Sequence, residues 1–174
     1  MNIGSDAQIA GRELWSFSQK FYERPGVATA LITLQDEAGL DVNLILFAIW
    51  HGLSGRGRLG EPELDSAKRA VCSMRVEIIE PLRALRRRLR TIVDDDIQRL
   101  REGIKAIEIE AEEAAQLRLA EVARHAFTAT PEQALADAET NLECALCGAD
   151  ADAGHTAIIR RELRLLYQAA SPTG

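Results

Sequence analysis

The chain has 174 residues, 47% of them hydrophobic and 28% charged, with a formal net charge of −6. That balance is expected of a folded protein rather than a disordered one and suits one folded unit with a core of its own, and the negative charge argues against a general nucleic-acid coat. Aromatic residues make up only 5% of a chain rich in Ala and Leu, so helices are favoured over a β-sandwich.

From Asp6 to Tyr22, Leu14, Phe17 and Phe21 recur at helical spacing. "RPG" (Arg24 to Gly26) breaks that helix, because Pro25 disfavours a helical residue before it. A second helix carries Val27, Ala30, Leu31 and Leu34, and Gly39 stands where a left-handed cap belongs. Asp41 is placed to cap a third helix, apolar on nearly every side from Val42 to Trp50, as at the centre of a bundle. "GLSGRGRLGEPE" (Gly52 to Glu63) reads as the long loop that ends it. A fourth helix runs from about Glu63 to Ile79, and Pro81 kinks it or opens a new one along Leu82, Leu85, Leu89 and Val93.

Asp94, Asp95 and Asp96 suit the positive end of a helix dipole. The long helix they open is expected to reach about Ala126, with a seam at Ile97, Leu100, Ile104, Ile107, Ala111 and Ala114. Thr130 and Pro131 start another helix, ending near Gly148, and a last one covers about His155 to Ala169. The expectation is a compact all-α helical bundle with a long helix in its C-terminal half. Residues 1–93 form the helical core, and 94–174 pack on it or extend from it.

The opening "MNIGSDAQIAGREL" has no basic start followed by an apolar stretch, so no signal peptide is expected. The longest apolar run, Leu44 to Trp50, is far short of the roughly 20 residues that cross a bilayer. Three cysteines, an odd number, do not make a secreted disulfide framework. A cytoplasmic protein without a membrane span is expected.

"ELWSFSQKFYERPGVATALITLQDEAGLDVNLILFAIW" and "MRVEIIEPLRALRRRLR" resemble a proteobacterial family of conserved hypothetical proteins known as domain of unknown function 2390. The resemblance rests on Leu14, Trp15 and Phe17; on Tyr22, Pro25, Gly26 and Val27; on Leu34, Gln35, Asp36, Gly39, Asp41, Val42 and Asn43; and on Arg75, Pro81, Leu82, Arg83, Leu85, Arg86 and Arg87. Met74 departs from it, standing where the family more often has Trp. The likeness spans about Glu13 to Arg90 and implies a kind of protein but no activity.

The acidic segment before the third helix is the first candidate site. Asp36, Glu37 and Asp41 lack the spacing of the aspartate pairs that hold magnesium in helical isoprenoid synthases. Asp36 and Glu37 lie at a helix C-terminus, where negative charge is unfavourable, so a cationic partner is expected. Arg75 and Arg83, two turns apart, are the candidates for a polar network or ligand site with Asp36, Asp41 and Asn43.

"RALRRRLR" (Arg83 to Arg90) carries five arginines and no acid. Arg83, Arg87 and Arg90 share a face bordered by Arg86, which reads either as a solvated helix face paired with Asp94 to Asp96 or as a surface for phosphate groups of RNA, an anionic membrane surface or an acidic protein. Arg87 is expected to point outward. Arg56 and Arg58 lie among glycines without a phosphate-loop motif, and His51, closing the third helix, reads as structural. Cys144 and Cys147, with His155 and His125, are too few in local order for a zinc site and read as core.

The functional expectation is a non-catalytic adaptor or regulatory protein meeting an anionic or acidic partner through Arg86, Arg87 and Arg90. No metal or cofactor is expected, and the long helix is a candidate surface for self-association. The alternative is a small helical enzyme or ligand-binding protein with a polar cleft around Asp36, Asp41, Asn43, His51 and Arg75. A ligand-sized cavity with those side chains turned inward would favour the second.

Overall fold

The computed structural model describes residues 3–123, 125–147, 153–154 and 156–161. Among them the fold is all-α and strandless: α1 (Ile3–Tyr22), α2 (Val27–Ala38), α3 (Val42–His51), α4 (Glu61–Met74), α5 (Glu80–Leu89), α6 (Asp95–Glu121) and α7 (Pro131–Leu146). Residues 156–161 are helical as well, while the remainder of the last expected helix lies outside the described residues. No helix is long and apolar enough to cross a membrane among the described residues.

Local chemistry sets the helix ends. Gly39 takes φ 65° and donates its N–H to Leu34 O, and Leu40 N–H adds a bond to the same oxygen at 3.3 Å. The Asp41 carboxylate then accepts from Asn43 N–H at 2.9 Å and from Leu44 N–H at 3.4 Å, which opens α3. Asp94 and Thr130 cap α6 and α7 in the same way, accepting from Ile97 N–H and Gln133 N–H.

Every residue of α3 is buried, so this helix is the centre of the bundle. One cluster joins Leu14, Phe47, Val71 and Leu119, and a second joins Phe21, Leu31, Ile49 and Leu142. Both clusters draw on residues before and after Asp94. At Gly52 the chain passes so close to α7 that a Cβ would collide with the backbone of Ala138.

Two π-type turns depart from the expected pattern. Gly52–Arg56 prolongs α3 where a loop was expected, with Gly55 at φ 74°. Arg75–Ile79 joins α4 to α5, and there the Glu80 N–H reaches back five residues to Arg75 O. Pro81, which has no N–H to offer, stands in the first turn of α5 just after it.

The long helix differs from its expected form in length and face. It ends at Glu121 rather than near Ala126, and of the expected seam Leu100 and Ile107 are 64% and 52% exposed. Its buried side comprises Glu108, Ala111, Ala115, Gln116, Leu119 and Ala120, so two polar side chains go inward where an apolar stripe was expected. Val93 likewise leaves the stripe of α5 and is fully exposed.

Candidate functional site

The inward polar groups of α6 lie at Glu108, Glu112 and Gln116, four residues apart and therefore on one helix face. They meet the arginines of α5 on one side and the ends of α1 and α3 on the other. Arg83 donates through Nε to Glu108 at 3.0 Å and through Nη2 to Glu112 at 2.5 Å. Arg86 grips Glu108 with two bonds, at 2.5 and 3.1 Å. Further along, Ser18 Oγ donates to Gln116, and Gln116 Nε2 donates to Asn43 Oδ1, both at 2.9 Å. This ladder from α1 through α6 to α3 is buried.

Burial would raise the Glu108 carboxyl, but hydrogen bonds from Arg86 and Arg83, together with their charges, hold it below its ordinary range. Glu112 has only Arg83 to answer its burial and the charge of Glu108, and its carboxyl is pushed upward. Tyr22 is pushed up to about 12, first by burial and then by Glu112. Two carboxyls one turn apart are therefore driven in opposite directions, the kind of split that marks functional clefts as well as structural networks.

Above the ladder lies a half-open cleft of about 750 Å³, bounded by α1, α2, α3, α5 and α6. Trp15 and Tyr22 line it beside Asp36 and Asn43, and Arg83, Arg86, Arg87, Arg90, Arg101 and Lys105 face it. A smaller cleft of about 260 Å³ adjoins it, lined by Asp36, Asp41, Asn43, Arg75, Arg83 and Arg87. Of the expected polar set, the structure thus brings Asp36, Asp41, Asn43, Arg75 and Arg83 together. His51 is elsewhere, fully buried, with Nδ1 at 3.0 Å from Gly57 O.

The pairing of Asp36 is a correction. Its partner is neither Arg75 nor Arg83 but Arg87, whose Nη2 lies 2.5 Å from Asp36 Oδ1. Buried Glu108 and half-buried Glu112 of α6 draw Arg83 inward and leave Arg87, one turn on, to face α2. Arg75, held in the π-type turn, donates to Glu80 at 2.7 Å and to Gly39 O at 2.8 Å. Arg87 is exposed but tied to its own chain, and Arg86 is turned into the cleft, so two of the three arginines of the expected partner face are engaged by carboxylates of their own chain, and Arg90 lines the cleft.

The glycine-rich arginines are also committed. Arg56 stacks over Trp50 with its guanidinium carbon 4.2 Å from the ring centroid, and Arg58 pairs with Asp137 at 3.0 Å. Asn141, unremarked in the sequence, fixes this segment by accepting from Leu59 N–H and donating to Gly57 O and Ala48 O. The core assignment of the cysteines needs correction: Cys147 is exposed, and Cys144 is half-buried against the apolar cluster. Helix α7 ends at Leu146, which lets Cys147 turn outward. Among the described residues no group of three or more His, Cys, Asp or Glu is placed to hold a metal ion; His155 lies outside them.

Glu108, Glu112 and Gln116 are the site residues that sequence reasoning missed. Their spacing opposite an acid-free arginine run was the available signal, masked by the isoleucines between them. No curated protein and no solved structure matches the chain. A family match covers residues 13–119, which supply every side chain lining the two clefts and leave out α7. By that match the chain belongs to the family described as Protein of unknown function (DUF2390).

Proposed function

We propose that this protein binds a small anionic ligand in the cleft walled by α5 and α6. The observation that carries the reading is the charge of the cleft. Six cationic side chains line it against four carboxylates, Glu23, Asp36, Glu108 and Glu112, in a chain of net charge −6. Its volume falls within the about 300–1,000 Å³ typical of small-molecule sites, and low-dielectric walls concentrate the local field. The adaptor reading requires Arg86, Arg87 and Arg90 to be available to a protein surface. Two of the three are hydrogen-bonded to carboxylates of their own chain, so the ligand reading has the stronger support. A cytoplasmic setting accords with three free cysteines.

The test is thermal unfolding at low ionic strength with citrate, as a carboxylate, and pyrophosphate, as a phosphate. A ligand that binds only the folded state raises the midpoint with its concentration. At least one anion should do so, and added neutral salt should suppress the rise. No rise with either anion would retire the reading. Self-association through α6 is a second reading, favoured by the exposed Leu100 and Ile107, and sedimentation at increasing concentration checks it.

A further inference from the structure

The cations of the cleft fall into two groups. Arg83 and Arg86 are engaged with Glu108 and Glu112, and Arg87 with Asp36. Arg90, Arg101 and Lys105 line the same cleft nearer the turn between α5 and α6. The two helices run back to back there: Gln98 Nε2 is tied to Leu89 O at 3.1 Å and to Ile92 O at 2.6 Å, while Glu108 is tied to Arg86. Arg101 and Lys105 lie between those ties on α6, and Arg90 stands at the end of α5.

Within ion-pair reach of Arg101 and Lys105, among the described residues, the one carboxylate is Glu102, itself 60% exposed. Neighbouring residues on a helix do not face each other, so Glu102 holds Arg101 only from the side. The Arg101 side chain is 20% exposed, and its Nε is buried without a hydrogen-bond partner. A buried donor without an acceptor is costly, and a guanidinium so placed is ready to receive an oxyanion. Three cations lining one cleft suit a dianion with three acceptor oxygens better than a single carboxylate. Asp94, Asp95 and Asp96, beside the same turn, repel an anionic bilayer, which points to a soluble ligand.

Resting on the anion-binding reading, we propose that Arg90, Arg101 and Lys105 form the seat for the phosphate group of a soluble phosphate ester or diphosphate. Arg83 and Arg86 remain with their glutamates and form its inner wall.

The experiment is calorimetric titration of the full chain with inorganic pyrophosphate at low ionic strength, beside R101Q and K105Q. Each substitution should weaken binding about tenfold or more, as expected for a lost hydrogen bond to a charged group, with the thermal midpoint of K105Q unchanged. Citrate should bind much more weakly. Pyrophosphate binding that both variants leave unchanged would overturn the seat while sparing the anion reading, and citrate binding without pyrophosphate would overturn the phosphate class alone. Binding of neither anion would remove both. Capture of the chain by phosphatidic-acid vesicles without a response to pyrophosphate would overturn the soluble source. K105Q, at a 53% exposed side chain, keeps the test open if R101Q fails to fold.

Discussion

Asp36 and Glu108 are both carboxylates held by arginine, yet their burial gives them different weight. The Asp36–Arg87 pair is 37% and 47% exposed on its two side chains, and exposed pairs are worth about 0–1 kcal/mol. Asp36→Ala should therefore shift the denaturation midpoint only slightly. Glu108 is 6% exposed and holds two arginines that are themselves 15% and 25% exposed. Glu108→Ala should cost about 3 kcal/mol, the lower end for a broken buried pair because Arg86 keeps some water. The sign with pH follows from its depressed folded value. The Glu108 contribution is present above the ordinary glutamate value and is lost as pH falls through the folded one. Denaturation of wild type and variant should thus converge in acid. Glu112 is raised, so its ionised form opposes folding increasingly as pH rises past the ordinary value. Glu112→Gln should be nearly neutral or stabilising at pH 7, and a loss matching that of Glu108→Ala would contradict the assigned direction.

The helix boundaries show why some of the architecture was legible and some was not. Gly39, Asp41, Asp94 and Thr130 act through contacts within about one turn, so their residue types alone mark the ends. At Asp41 the capping bonds compete with desolvation, and burial pushes its carboxyl upward despite the nearby Arg75. Asp41→Asn keeps an acceptor and loses the desolvated charge. It should match or exceed wild-type stability at neutral pH, whereas Asp41→Ala should lose about 1 kcal/mol; paired urea titrations compare the two. The two π-type turns had no such local marker. Each depends on what the segment packs against, and for Gly52 that is the backbone of α7, far along the sequence.

The same division between near and distant causes runs through the bundle and its cleft. The buried α3 was readable because an apolar run has only one place to go. The inward face of α6 was not, since its isoleucines suggested a seam while Glu108, Glu112 and Gln116 went inside to meet Arg83, Arg86, Ser18 and Asn43. Which arginine meets which acid is fixed by the phase of α5, and that phase is set at Arg75–Ile79. A π-type turn is one residue longer than the α-helical path it replaces. Inserting a further residue there, such as an Ala after the 53% exposed Val76, exceeds the one extra residue that the turn takes up and would rotate α5 by about 100°. Arg83 and Arg86 would swing away from Glu108. The insertion should therefore abolish the anion response and lower the midpoint more than Val76→Ala, whereas deletion of Val76 should keep the arginines in phase. The cleft behaves in this respect like a lock set by a single tooth: its charges can be kept in full and still fail to meet if the count between Met74 and Glu80 is one too many.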